Sequence, residues 1–124
     1  MNYLKLLLVI VTLTVSSSAF AQFFEEDHLI TDVRNNIIWL RCSVGQTWDN
    51  EAKTCTGDLV KLNHDEIEVA LQQAGEQLGG EWRLPTLDEL ESLVCEECEP
   101  PKIKGKYFPN ISPEAYWTSK RNFL

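Results

Sequence analysis

The sequence has few of the residues on which hydrolytic catalysis depends. Its 124 residues include two histidines, and the glycines of a nucleophile elbow flank none of Ser43, Ser92, Ser112 and Ser119. His64 stands beside two carboxylates but has no second histidine three or four positions away, which favours an exposed helix residue over a metal ligand. The carboxylates are too numerous to single out a glycosidase pair. The sequence therefore predicts a protein that is not an enzyme, with no cofactor and no metal.

Basic charge is also scarce. The formal net charge is −8 and the sequence pI is about 4.7. A nucleic-acid-binding protein would show a basic footprint, so the composition argues against nucleic acid as a partner. The exception is residues 99–124, which carry five Lys and Arg against two Asp and Glu. This basic end could meet an anionic partner.

No apolar run is long enough to span a bilayer, which takes roughly 20 residues. The ten apolar-rich residues Leu6–Val15 follow Lys5 and precede the A-x-A pattern Ala19–Ala21. This arrangement predicts a signal peptide over residues 1–21, cleaved before Gln22, and an uncleaved N-terminal anchor is the less favoured alternative. The remaining residues 22–124 suit one small domain with no membrane span. The expected location is the periplasm or the cell exterior, and the sequence indicates neither which of them nor the oligomeric state.

Four cysteines in an exported chain predict disulfides, and their number alone allows three pairings. The segment between Cys42 and Cys55 is polar, with Trp48 as its large apolar residue, so it needs a cross-link to be ordered. Closing a loop of about 14 residues removes roughly 3 kcal/mol of unfolded-state entropy, which favours Cys42–Cys55. Cys95–Cys98 is the second pair, although its small ring leaves strain or another partner as alternatives.

Cys95 and Cys98 also allow two other interpretations. A redox enzyme would need a thiolate stabilised by a helix N-terminus or a cation, whereas these cysteines follow a predicted helix and lie among glutamates. No thioredoxin-like βαβ pattern surrounds them. The other interpretation is a four-cysteine zinc site. The spacing of Cys95 and Cys98 suits zinc, but the spacing of Cys42 and Cys55 does not, and an oxidising compartment favours disulfides.

The N-terminal half contains two short β-prone runs, Leu29–Asp32 and Ile37–Leu40. Adjacent asparagines in the intervening segment tolerate positive φ, which predicts a hairpin. Trp39 is expected in the core, with ligand stacking as the alternative. The acidic residues 25–27 are expected to form a solvated end, because no calcium-loop pattern accompanies them.

Two helices are predicted in the second half. Asn63 is a candidate N-cap with an acidic residue three positions on, and Gly79–Gly80 should end that helix. Trp82–Leu84 reads as a short strand that stops at a proline. Thr86 caps a second helix over residues 87–94 through a capping box. The expected buried positions are Ile67, Leu71, Ala74 and Leu78 on the first helix, and Leu87, Leu90, Leu93 and Val94 on the second.

Several of these segments, taken in order, resemble the Lcl C-terminal domain family, a family of exported bacterial domains named for a collagen-like adhesin. The matching segments lie within residues 30–119 and are Thr31-Asp32, Ile38–Cys42, Gly45–Trp48, Trp82–Thr86, Glu89–Val94, Phe108–Asn110 and Tyr116–Ser119. The resemblance implies an α+β domain related to C-type-lectin-like domains, with no assigned catalytic residues. Family members usually continue with further strands, so we expect residues 22–124 to be a domain that is incomplete at its C-terminus.

Some members of the family are adhesins that bind sulfated glycosaminoglycans. The resemblance therefore favours an exported, non-catalytic binding or adhesion domain whose partner is a glycan or protein of the envelope or exterior. An anionic or sulfated glycan is the favoured ligand. A redox protein using Cys95 and Cys98, or a non-functional fragment, are the alternatives. The absence of an Asn after Glu99-Pro100 argues against a calcium-dependent sugar site.

The candidate ligand residues combine cations with aromatic rings. In an extended segment, three alternating lysines would face one way. Lysines on an edge strand also serve to prevent edge pairing, and the aromatics could equally be core residues. The candidates are Lys102, Lys104, Lys106, Tyr107, Tyr116, Trp117, Lys120 and Arg121.

Overall fold

A computed structural model describes residues 21–119, so nearly all of the predicted signal peptide, together with Lys120 and Arg121, lies outside the described residues. Two antiparallel sheets have the strand orders β1-β2-β3 and β4-β5. With two helices they form an α+β domain, as predicted. No helix within residues 21–119 has the length and hydropathy to cross a membrane. The elements are β1 (Phe23–Glu26), β2 (Leu29–Asp32), β3 (Ile37–Leu40), β4 (Thr47–Asp49), β5 (Thr54–Thr56), α1 (His64–Leu78) and α2 (Leu87–Glu91).

The predicted hairpin is confirmed as β2 and β3, with Ile30 opposite Trp39. Asn36 takes the positive φ of 53° that the turn needs. Strand β1, which pairs with β2, was not predicted, because the acidic residues at its end read as a solvated terminus. Residues 25–27 are exposed, as expected, and the Glu25 carboxylate lies 3.1 Å from the Arg41 guanidinium. This distant partner supplies the charge that the local sequence lacks.

The core of the three-stranded sheet is small. Ile30, Leu93 and Phe108 are buried together. Trp39 packs against this cluster as predicted, with its ring edge-on to Phe108 at a centroid distance of 6.3 Å. Burying a few large apolar side chains contributes about 1.5–3 kcal/mol each, so a core of this size leaves a substantial role for disulfides and polar anchors.

Asp32 is one such polar anchor. Its side chain is fully buried and accepts hydrogen bonds from Asn35, Gln22 and the Trp39 indole. Burial opposes ionisation, but these hydrogen bonds outweigh it and hold the pKa of the Asp32 carboxyl below its usual value. The ionised side chain thereby ties the β2–β3 turn to the start of β1.

Helix α1 begins as predicted. The Asn63 side chain accepts from the Glu66 backbone N–H at 3.0 Å, and the Glu66 carboxylate accepts from the Asn63 N–H at 2.8 Å, which completes a capping box. The helix ends at Leu78, and Gly79 follows with a φ of 74°. The predicted apolar stripe is only partly buried, because Ile67 is 6% exposed whereas Leu78 is 42% exposed.

The segment before α2 differs from its prediction. Trp82–Leu84 is not a strand, since no strand within the described part of the chain pairs with it. Instead, the Trp82 indole donates to the Gly79 carbonyl at 2.9 Å. The Arg83 guanidinium forms a two-pronged ion pair with Glu89, raising the pKa of Arg83 and lowering that of Glu89. Side-chain contacts therefore fold this segment back locally.

Helix α2 is also shorter than predicted. Thr86 caps it by accepting from the Glu89 N–H at 3.2 Å, but the predicted capping box is incomplete because the Glu89 carboxylate pairs with Arg83. The helix ends at Glu91 and not at Val94. Val94 instead forms an antiparallel bridge with Ile103 and is 51% exposed. The return of the chain at residues 102–103 provides this partner, which local helix propensity does not reveal.

Both expected disulfides are present. Cys42 and Cys55 are joined with a Cα–Cα distance of 5.5 Å, and Cys95 and Cys98 with 5.3 Å. The segment inside the first bridge was read as a plain loop, whereas it contains the hairpin of β4 and β5.

Two residues of the family motifs hold this hairpin in place. Gly45 has a φ of 93°, and a Cβ there would lie 2.7 Å from the Asp58 carbonyl oxygen, so a larger residue would clash. The Asn110 side chain donates to the Cys55 carbonyl at 2.8 Å and to the Thr54 hydroxyl at 3.1 Å. The hairpin is thereby joined to the chain that follows the core residue Phe108.

Candidate functional site

The predicted lysines lie in a turn-rich segment, residues 102–107, which we call the lysine loop. Only Ile103 of this loop takes part in a β-bridge. The prediction of an extended segment is therefore wrong, and alternation does not explain where the ammonium groups point. A backbone hydrogen bond from Phe108 N–H to the Lys104 carbonyl, 3.1 Å long, curls the loop onto the core.

Arg41 anchors the backbone of the lysine loop. Its side chain is buried, and its guanidinium donates to the Tyr107 carbonyl at 2.9 Å and to the Lys106 carbonyl at 2.8 Å. The same group donates to the Asp27 carbonyl at 3.0 Å and pairs with Glu25. One buried cation thus fixes the backbone of the loop against the β1–β2 turn.

Aromatic rings pack on both sides of this anchor. The Trp48 ring lies over the Arg41 guanidinium, 4.0 Å from ring centroid to Cζ, in a cation–π contact. Tyr107 packs against Phe23 with ring centroids 5.1 Å apart. These contacts limit the movement of the loop and leave Phe23 and Tyr107 half-buried.

The three lysines of the loop differ in what their ammonium groups contact. Lys102 donates to the carbonyls of Glu96 and Cys98, at 2.8 and 3.4 Å, and so braces the small disulfide ring. Lys104 and Lys106 are exposed, and neither forms an ion pair within residues 21–119. The Lys106 ammonium lies 5.3 Å from the centroid of the Tyr107 ring. Two cations therefore remain free to meet a ligand.

A cavity of about 170 Å³ opens beside the lysine loop. It lies between the start of β1, the turn after α2 and the loop itself. Phe23, Val94, Lys104 and Tyr107 contribute to its walls. Its lining therefore includes one basic residue, Lys104, and the aromatic pair of Phe23 and Tyr107.

The other predicted aromatics lie elsewhere. The Tyr116 hydroxyl contacts the Ser43 hydroxyl and accepts from the Ser112 N–H, both at 2.9 Å. Trp117 donates from its indole nitrogen to the Leu62 carbonyl at 2.9 Å. No hydrogen bond or aromatic contact among residues 21–119 links either ring to the lysine loop. The structure therefore divides the predicted ligand residues into two groups, while Lys120 and Arg121 lie outside the described residues.

Sequence reasoning missed Arg41 and Phe23 as parts of the site. Arg41 lies within the motif Ile38–Cys42, but the sequence carries no sign that its charge is buried. Phe23 directly follows the predicted cleavage site and was not assigned to a strand. Arg41 is at least 65 residues away along the chain from the loop residues that it contacts, and only the tertiary fold reveals that relation.

The Cys95–Cys98 ring has little exposed sulfur on one side, since Cys95 is buried. The ring follows the end of α2, not a helix N-terminus, and the exposed Glu96 and Glu97 lie between the cysteines, so neither the helix dipole nor these charges would stabilise a thiolate. In the part of the chain that the structure describes, no group of three or more His, Cys, Asp and Glu side chains could hold a metal ion.

Comparison with known proteins agrees with this order of elements. The family model described as the Lcl C-terminal domain matches residues 28–123. The chain belongs to the Lcl C-terminal domain family. The matched residues of this Lcl C-terminal domain include most of the three-stranded sheet, both disulfides and the lysine loop, with β1 just before them. No curated protein and no solved structure matches the chain.

Proposed function

We propose that this Lcl C-terminal domain is an exported, non-catalytic binding module whose lysine loop binds an anionic glycan, with sulfated glycosaminoglycans as the favoured class. The observation that carries the proposal is the pair of exposed ammonium groups, Lys104 and Lys106, without ion-pair partners among the described residues. Arg34 and Lys53 are also exposed and form no ion pair among the described residues, but neither lines the cavity beside the Phe23–Tyr107 pair, as Lys104 does. The two disulfides support export to an oxidising compartment.

The anchoring of the loop supports a binding role on energetic grounds. Binding costs free energy when a flexible loop must be ordered, and a loop already fixed by its backbone avoids much of that cost. Arg41 fixes the carbonyls of Lys106 and Tyr107 while leaving the lysine side chains exposed. The negative charge of the rest of the domain repels anions, so a polyanion is directed to this loop.

We further propose that the fold is related to C-type-lectin-like domains, as the family resemblance implies, and that binding does not require calcium. The Glu99-Pro100-Pro101 segment lacks the asparagine of calcium-dependent sugar sites. Glycan recognition would therefore rest on ammonium–sulfate or ammonium–carboxylate contacts and on the aromatic pair. Such charge-assisted hydrogen bonds contribute about 1.5–3 kcal/mol each.

Replacing both Lys104 and Lys106 with glutamine tests this function. We expect the double variant to lose at least about tenfold in affinity for a heparin tetrasaccharide, since two charge-assisted contacts disappear. The measurement is isothermal titration calorimetry in about 50 mM and 150 mM salt. The affinity of the unaltered domain should be lower at the higher salt concentration.

The matched control is the double variant Arg34→Gln and Lys53→Gln, which changes the net charge equally at two exposed positions. We expect it to bind within about threefold of the unaltered domain. Equal losses in the two double variants would show a diffuse charge effect and no lysine-loop site. Absence of any binding by the unaltered domain would refute the proposed function altogether.

A further inference from the structure

We propose that the cavity beside Lys104 receives one sugar ring of the glycan, so that the domain recognises an acidic monosaccharide unit and not only the charge of a polymer. This inference rests on the proposed function and names its ligand more closely. It is based on the size of the cavity, the segments that form it and the side chains that line it.

The size of the cavity matches a single ring. Its volume is about 170 Å³. Pockets for drug-sized ligands measure roughly 300–1,000 Å³, whereas an apolar cavity of roughly 150 Å³ accommodates benzene. The cavity is therefore too small for two linked sugars and large enough for one six-membered ring. The rest of the glycan would lie outside, along the exposed lysines.

Three separate segments form the cavity, and each is held in place. The bridge between Val94 and Ile103 joins two of the walls, and the Cys95 N–H donates to the Lys102 carbonyl at 2.9 Å. The third wall is β1, joined to the loop by the Phe23–Tyr107 contact. These contacts hold the three walls together, so little ordering is needed on binding.

The lining specifies the chemical class of the ring. Phe23 and Tyr107 supply an apolar aromatic wall, which suits the C–H face of a sugar. Lys104 supplies a cation for a carboxylate or sulfate, and Glu97 supplies an acceptor for hydroxyl groups. Glu97 would repel a second anionic group on the same ring. The expected unit therefore carries one acidic group and free hydroxyls, as in a hexuronate or a monosulfated hexose.

A substitution that fills the cavity tests this inference. Val94 lines the cavity and is 51% exposed, so Val94→Phe can place a ring there without disturbing the buried core. We expect this variant to lose at least about tenfold in affinity for a chondroitin sulfate tetrasaccharide, in which each ring carries a single acidic group. Its affinity for a linear inorganic polyphosphate of similar charge should stay within about twofold, because that polymer has no ring to insert.

The matched control is Val69→Phe, a valine on α1 that is 55% exposed and does not line the cavity. It should leave both affinities unchanged. If Val94→Phe weakens neither ligand, or weakens both equally, the ring-binding cavity is refuted while the lysine-loop function stands. If the unaltered domain binds neither ligand, both proposals fail.

A second measurement covers the case in which Val94→Phe does not fold. Titrating the unaltered domain with glucuronate should shift the NMR signals of the Phe23 and Tyr107 rings, and titration with inorganic sulfate should not. Equal shifts with both ligands, or no shift with glucuronate, would overturn the inference. The comparison separates a sugar ring from a free anion as the group recognised.

Discussion

Replacing Arg41 with methionine should lower the free energy of unfolding by about 2–4 kcal/mol, because its buried guanidinium donates to three backbone carbonyls and each hydrogen bond to a charged group contributes about 1.5–3 kcal/mol before the cost of burying the charge. Methionine keeps the apolar stem but has no donors. The carbonyls of Asp27, Lys106 and Tyr107 would then lose their partner, and Glu25 would lose its counter-charge. Urea-induced unfolding, followed by tryptophan fluorescence, measures the effect.

The control is Arg34→Met at an exposed position, where we expect a change within about 0.5 kcal/mol. A loss below about 1 kcal/mol for Arg41→Met would contradict the anchoring role. Because the same guanidinium holds the lysine loop, Arg41→Met should also weaken binding of the heparin tetrasaccharide. Binding that stays unchanged in a folded variant would show that the loop does not need this anchor.

The second large effect is expected from removing the Cys42–Cys55 disulfide. Its cysteines are 13 positions apart, and a loop of this length corresponds to about 3 kcal/mol in the chain-entropy model. We therefore expect the double variant Cys42→Ala and Cys55→Ala to lose about 2–4 kcal/mol in urea unfolding. Alanine is chosen because both cysteines are buried, and serine would bury an unpaired hydroxyl.

The matched control removes the other bridge, with Cys95→Ala and Cys98→Ala. These cysteines are three positions apart, so the entropic contribution of that bridge is smaller, and we expect the smaller destabilisation. If this variant is the less stable of the two, the Cys95–Cys98 ring has a structural role that loop length does not explain. Its contacts with Lys102 would then be the place to look.

Local signals in the sequence predicted local structure well. The Asn63 and Thr86 caps, the turn before β3 and both disulfides are confirmed, because each depends on residues close along the chain. The family resemblance is confirmed by the match over residues 28–123. Chemistry within one turn or one loop can therefore be read from this sequence.

The errors share a physical cause, which is dependence on distant partners. Strand β1 was missed because it is defined by its pairing with β2, which the acidic residues at its end do not reveal. The helix predicted to reach Val94 ends early because Ile103 offers a bridge. Trp82–Leu84 was expected to be a strand, but a strand requires a neighbour that a single segment cannot supply.

The candidate site shows the same division. Lys104, Lys106 and Tyr107 were named from the sequence. In the structure Lys104 and Tyr107 line the cavity, and the Lys106 ammonium lies near the Tyr107 ring. Their predicted extended arrangement is wrong, because Arg41 and the Lys104 carbonyl hold the loop in turns. Tyr116 and Trp117 resembled them in composition only, and tertiary contacts place them in a separate group.

The most direct test of the account is an NMR map of a chondroitin sulfate tetrasaccharide on the domain, recorded as backbone amide shifts during a titration of residues 22–124. The account predicts that the largest shifts fall on the lysine loop, on Phe23 and on Val94, and that they weaken as salt is raised. Shifts centred on Tyr116 and Trp117, or spread evenly over the surface, would contradict the lysine loop as the binding site.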